Sequence, residues 1–194
     1  MVRHSDASRV VDGLRRAALA GMGAVALSVA ASPDAALAQE TIRIGVPVPL
    51  SGGYSSAGKD ILNGAQLAAD EINSQGGVLG KKMKLFVQDS QGKPEAGVAA
   101  YRRLVSEDKV VAVPGFFHSS VSIAVNEVAK DMGVPTMSVQ ASASEITSKH
   151  YDIAFRTHAV DPVRVSTWME LIKQKGFKRV SLIAETTDYG IGLV

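Results

Sequence analysis

The chain has 194 residues, 21 Lys plus Arg against 19 Asp plus Glu, 46% hydrophobic residues and no cysteine. That length suits one sizeable core, or one domain and part of a second. A net charge of +2 offers no basic surface for nucleic acid, and zero Cys excludes disulfide staples, thiolate zinc sites and a cysteine nucleophile.

The first residues read as an export signal. Arg3, Arg9, Arg15 and Arg16 precede an unbroken apolar and small-residue run from Ala17 to Ala31. At ~1.5 Å rise per residue the run covers about 22 Å, short of the roughly 30 Å hydrocarbon core of a bilayer. Pro33 breaks it, and Ala36-Leu37-Ala38 supplies an A-x-A cleavage pattern. Cleavage is expected after Ala38, leaving Gln39 as the first mature residue. The Arg15-Arg16 pair lacks the preceding Ser or Thr of a twin-arginine signal, and Ala18 stands where that motif has Phe, which favours ordinary secretion. Removing residues 1–38 takes away four basic and three acidic side chains, leaving 17 − 16, a net +1.

Strands and helices then alternate. TIRIGVPVPL (41–50) is β-branched-rich and runs into a Pro/Gly loop, the signature of a strand and its exit. Ile61, Ala65, Ala68 and Ile72 form one apolar helical stripe, stopped by Gly76-Gly77. MKLFVQDS (83–90) predicts a second strand, and Pro94 opens a helix that buries Val98, Tyr101 and Leu104/Val105. KVVAVPG (109–115) is a short, wholly apolar strand, as expected when both faces of a sheet are covered. Val121, Val125, Val128 and Met132 repeat the helical spacing, with Ser119 or Ser120 as N-cap and Gly133 as stop. PTMSV (135–139) predicts a strand, Ser142 or Ser144 caps a short helix, and IAFR (153–156) is a further strand. Pro162 begins a helix to Lys175 with Val165, Trp168/Met169 and Ile172 inward, KRVSLIA (178–184) reads as a strand, and TTDYGIG starts the next crossover. This alternation implies an α/β fold with a doubly wound parallel sheet, whose ligands bind beyond the carboxyl ends of the strands.

The residues just beyond the strands are rich in hydroxyls and glycines: Ser51-Gly52-Gly53-Tyr54, Asp89-Ser90, Gly115-Phe116-Phe117-His118-Ser119-Ser120, Gln140-Ala141-Ser142 and Asp188-Tyr189-Gly190. A helix N-terminus with a serine beside it suits a carboxylate, because free N–H groups, a partial positive charge and a hydroxyl donor converge there. The plainer alternative is that these serines serve only as caps. Asp89, at a strand end, reads as a loop-stabilising carboxylate. No nucleophile elbow, phosphate loop or zinc-binding HExxH occurs, and His118 next to Ser119 lacks an evident partner acid. His150 and His158 lie on separate predicted elements, so neither a metal site nor a cofactor is expected. An enzyme is not indicated.

Taken in order, IRIGVPVPLSG, NGAQLAADEINSQGGVLGKKMKL, VPGFFHSS, PTMSVQASASEIT and VSLIAETTDYGIG resemble the periplasmic solute-binding proteins of the branched-chain amino acid type that serve ABC importers. The resemblance implies a type I periplasmic-binding fold, with two α/β lobes closing on a ligand like a hinge. It divides the chain into a signal peptide (1–38), an N-terminal lobe (39–160) and the incomplete start of a second lobe (161–194). It also implies that Ser119, with Ser120 beside it, holds an amino acid carboxylate, that Ser142 and the Gln140 backbone meet the ammonium end, and that Tyr189 closes from the second lobe. Tyr54 would stand in for a first-loop aromatic residue replaced here by Ala57, and His118 sits where some relatives carry a disulfide cysteine. The family's mature chain is roughly twice as long and carries its acidic ammonium contact further on, so this chain is expected to be a C-terminally truncated piece.

The function so implied is capture of an amino acid or related small carboxylate in the periplasm and delivery to a membrane permease driven by ATPase subunits. The full-length protein would act as a monomer and touch no nucleic acid. The alternative keeps the fold as a ligand-sensing receptor domain without transport.

Overall fold

The computed structural model describes residues 40–193. The expected signal peptide and its cleavage between Ala38 and Gln39 lie outside the described residues. Five parallel strands form the centre: β1 (Ile42–Val48), β2 (Met83–Asp89), β3 (Val113–Phe116), β4 (Thr136–Ser138) and β5 (Ala154–Arg156). β1 pairs with β2 from Ile42↔Met83 to Val48↔Asp89, and β3–β4–β5 form a second ladder. A bridge at Ile44↔Ala112, with Gly45 N–H on the Ala112 carbonyl (2.9 Å), joins the two into the spatial order β2-β1-β3-β4-β5. The chain therefore turns one way from β1 to β2 and the other way from β3 to β5. That reversal creates a switch point between β1 and β3, where a parallel sheet leaves a crevice at its carboxyl edge.

Helices α1 (Ser55–Ser74), α2 (Pro94–Ser106), α3 (Ser119–Met132), α4 (Glu145–Ser148), α5 (Asp161–Lys175) and α6 (Asp188–Ile191) connect or follow the strands. Pro94 sits in the first turn of α2, where its fixed φ and missing N–H cost nothing. The main core lies between α2, α3 and the sheet, with Tyr101, Leu104, Val113, Phe116, Val121 and Val125 all excluded from solvent. Several of the polar side chains buried here are paired. Ser122 bonds Ser138, and Asn126 links the Thr136 hydroxyl (2.7 Å) to the Ile146 carbonyl (3.0 Å). Gly115 adopts φ +124°, a backbone closed to L side chains, and there β3 slips register against β4. The slip steers the chain toward Phe117 and His118.

The opposite sheet face is covered less fully. An apolar groove runs between α1 and the strands, and Met137 and Phe155 at its edge remain exposed. Among the described residues no helix is long and apolar enough to cross a membrane.

Glu127 on α3 binds Lys130 (3.0 Å), Lys149 and the Tyr151 hydroxyl (3.1 Å), tying α3 to the α4–β5 connection. Lys149 first, then Lys130, hold its carboxyl at about 2. The folded value lies below the unfolded one, so this contribution is complete above pH ~4.5 and disappears as pH falls toward 2. The cluster is exposed to solvent, so its contribution is the small one of surface ion pairs. Glu127→Gln should therefore lower thermal stability slightly near pH 6 and leave it unchanged near pH 2; a constant offset across that range would disprove the assignment.

Three sequence expectations need correction. Residues 178–184 form no strand: they carry no regular secondary structure and are exposed, with Leu182 66% and Ile183 fully accessible, because no neighbouring strand pairs with them among the described residues. α5 is a helix as expected, but Trp168 and Met169 are about half exposed, since nothing packs over that face among the described residues. Finally, neither Ser119 nor Ser120 caps α3. The N-cap is His118, and it makes no side-chain capping bond.

Candidate ligand-binding site

The carboxyl ends of β1 and β3 flank the switch point, and their loops meet there. Asp89 at the end of β2 accepts hydrogen bonds from Leu50 N–H and Gln91 N–H, each at 2.8 Å. Burial pulls its carboxyl up, yet the Ser51 hydroxyl and these backbone donors outweigh it and hold the group below the usual carboxylate range. Asp89 is thus the loop-stabilising carboxylate its position suggested, and the loop it braces carries Tyr54. The Tyr54 ring lies 4.8 Å from His118 edge-on and 5.4 Å from Phe117, and Phe117 stands 4.7 Å from His118. Three rings from two loops therefore form one aromatic cluster beside the start of α3.

Burial lowers the His118 pKa below its ordinary value, with nearby Glu185 pulling weakly the other way, so the imidazole is neutral at pH 7. Its ring packs against Gly92, Tyr54 and Phe117. Ser119 is engaged elsewhere: its hydroxyl accepts from Ala143 N–H at 3.3 Å. The two adjacent residues thus face different partners and do not form a base–nucleophile pair.

Ser119 is buried and Ser120 half-buried, both in the first turn of α3, whose N–H groups have no partner within the helix. The loop after β4 is locked against them. Arg156 donates to the carbonyls of Ser142 (3.2 Å) and Ala143 (2.7 Å), and Asp161 N–H donates to the Ser142 carbonyl (3.1 Å). Burial lowers the Arg156 pKa while Asp161 opposes the shift. Ser142 is fully buried, and its hydroxyl accepts from Arg164 at 3.3 Å. Arg164 also reaches Asp161 (3.4 Å) and the Tyr189 hydroxyl (3.5 Å), with its guanidinium over the rings of Trp168 and Tyr189. Gln140, by contrast, is exposed, and its N–H is taken by the Phe116 carbonyl (3.4 Å).

The fold thus gathers Ser119, Ser120, Ser142 and Tyr189 around the start of α3 and the loop after β4, and sets Tyr54 beside His118. Phe117, Arg164 and Glu185 join them without having been singled out in the sequence. Phe117 was visible as part of FFHSS. Arg164 had a signal too: a cation in the first turn of a helix opposes the macrodipole and needs another reason to be there. Glu185 carried none, because only the fold brings it near His118. Two hollows elsewhere, the groove under α1 and one along the outer side of α2, include neither Ser119, Ser142 nor Tyr189. Among the described residues no cluster of His, Cys, Asp and Glu suits a metal ion.

A doubly wound parallel α/β sheet with a helix start and hydroxyls at its switch point is the architecture of a type I periplasmic-binding lobe. The sequence pattern of the periplasmic binding protein family matches residues 41–194, and the chain belongs to that family. It is 35% identical over 166 residues to the Leu/Ile/Val-binding protein BraC3 of Rhizobium johnstonii, covering 85% of this chain and 45% of that one. Among solved structures it resembles the branched-chain amino acid transporter substrate-binding protein LivJ of Streptococcus pneumoniae in complex with isoleucine, with TM-score 0.60 and 32% identity over 63% of this chain and 35% of that one. It also resembles a solute-binding protein of an ABC transporter from Rhodopseudomonas palustris in complex with 3,4-dihydroxybenzoic acid, with TM-score 0.68 and 25% identity over 79% and 41%. The chain spans about half the length of the curated relatives it matches.

Proposed function

We propose that the full-length protein is the solute-binding component of an ABC importer, taking an amino acid or related small carboxylate at the start of α3 and delivering it to the membrane permease and its ATPase. The observation that carries this reading is convergence. Ser119 and Ser120 sit at an anion-favouring helix start, with the Ser119 hydroxyl bonded to Ala143 N–H beside Ser142, while Tyr189 and Arg164 approach from the segment after residue 160. A carboxylate placed there exchanges water for charge-assisted hydrogen bonds, which are roughly twice as strong as neutral ones. In this reading residues 39–160 form the first lobe and 161–194 begin the second. Export to the periplasm is supported by the N-terminal arginines, the apolar run and the A-x-A pattern. The protein acts by binding rather than by catalysis, consistent with a neutral His118 that is packed among rings and a Ser119 hydroxyl bonded to backbone.

The test is ligand-dependent thermal stabilisation of the full-length protein against a panel of amino acids and small carboxylates. At least one should raise the melting temperature. Ser119→Ala should weaken that solute by about 10–100-fold, the worth of one hydrogen bond to a charged group. A panel without any shift, or unchanged affinity in Ser119→Ala, would refute the assignment.

A further inference from the structure

Arg164 pairs with the buried Asp161 at 3.4 Å and still carries donors that capture of a simple zwitterion leaves unused. It sits in the first turn of α5, where the helix dipole disfavours a cation. Trp168, one turn along, and Tyr189 from α6 hold the guanidinium between them at 5.7 and 5.8 Å from their ring centroids. Its bonds to Ser142, Asp161 and Tyr189 measure 3.3, 3.4 and 3.5 Å, beyond the roughly 2.7–3.2 Å of a good N–H···O bond. A forked donor held by stacking, yet weakly bonded at its tips, is set up for a better acceptor.

The surrounding charges agree. Arg156 spends its donors on the Ser142 and Ala143 carbonyls, and the fully buried Asp161 lies between the two arginines. Glu185 lies beside Gly190 and toward His118, and its carboxylate accepts from the Thr187 hydroxyl at 2.6 Å. Around Ser142, then, the guanidinium groups of Arg156 and Arg164 lie against the single carboxylate of Asp161. An ammonium group placed there would meet like charge, whereas an anionic group would replace three long bonds with short charge-assisted ones.

We propose that Arg164 is a specificity-determining residue that takes an anionic group of the solute between Ser142 and Tyr189, so that the protein selects net-negative solutes over neutral zwitterions. This rests on the binding function proposed above and deepens it. The aromatic cluster of Tyr54, Phe117 and His118 offers an apolar wall to the body of such a solute.

The test is calorimetric titration of the full-length protein with matched solutes: glutamate against glutamine, 3,4-dihydroxybenzoate against its amide, and leucine as the neutral zwitterion. The anionic member of at least one pair should bind about tenfold tighter or better. Arg164→Gln should abolish that preference, weakening the anion about tenfold or more while its neutral partner changes by less than about threefold. Arg164→Lys keeps the charge but loses the fork, and should retain an intermediate preference. Because Arg164 pairs with the fully buried Asp161, the Gln variant should melt below the parent; the Lys variant keeps the charge, and it carries the comparison if the Gln variant does not fold. Leucine or glutamine binding as tightly as the anions, or a preference that survives the substitutions, would overturn the charge assignment and leave the binding function standing. A protein that binds none of these solutes, nor any of the wider panel, would overturn both.

Discussion

Replacing Tyr101 with alanine is expected to cost about 3–5 kcal/mol, the range found when a large aromatic side chain is removed from a packed core. Tyr101 is wholly excluded from solvent in the cluster that includes Leu104, Phe116, Val121 and Val125, between α2, α3 and the sheet. Its hydroxyl donates to the Val134 carbonyl at 2.7 Å and so pins the α3–β4 connection. Burial pushes the phenol up to about 12 despite that bond, so the side chain stays neutral throughout the physiological range. Tyr101→Phe separates the two contributions. It keeps the ring and strands one carbonyl, for an expected loss of about 1–2 kcal/mol. Thermal denaturation followed by circular dichroism measures both, with the alanine variant melting about 10 °C or more below the parent. Equal losses in the two variants would place the stabilisation in the hydrogen bond rather than the packing. The site depends on the same core, because α3 carries Ser119 on the turn that this cluster anchors.

Gly58→Ala should be nearly as damaging, for a different reason. A Cβ at Gly58 would lie 1.8 Å from the Pro49 carbonyl oxygen and 2.6 Å from its carbon. Both obstacles are backbone, so no rotamer relieves the clash, and the first turn of α1 must move away from the end of β1. The expected cost is at the upper end of the ~1–3 kcal/mol typical of overpacking. Between those two elements lies the loop that presents Tyr54 to Phe117 and His118, so the displacement should also weaken solute binding. Gly64→Ala provides the control, since a Cβ there meets nothing within 4 Å and an exposed helical site should gain slightly. Similar melting temperatures for the two variants would contradict the packing described for the β1–α1 loop.

Much of this architecture was legible along the chain. Apolar residues spaced 4-3-4 in α1 and α3, Pro94 at the head of α2 and the β-branched run at β1 each mark their element through local sequence. Segments 178–184 and the apolar stripe of α5 show the limit of that logic. Their patterns describe surfaces suited to burial, but a strand exists only when hydrogen-bonded to a neighbour and an apolar face is buried only when something packs on it. Serines 119 and 120 show another. Hydroxyls before a helical run suggest caps, yet the Ser119 hydroxyl takes a backbone N–H across space instead, from Ala143 in the loop after β4.

From the sequence alone came the class of fold, the order of its elements, and Ser119, Ser120, Ser142 and Tyr189 as polar groups at strand ends and helix starts. Those are local properties, set by propensity, spacing and turn chemistry within a few residues. Only the tertiary structure set the order β2-β1-β3-β4-β5, which puts the crevice between β1 and β3. It alone joined Tyr54 to His118 across two loops and laid Arg164 and Tyr189 over Ser142. The pairs that define this site are separated by 22 to 64 residues in the chain, and no periodicity reports on contacts of that range. They arise from how parallel strands stack and where their crossovers return, which is decided by packing of the whole sheet.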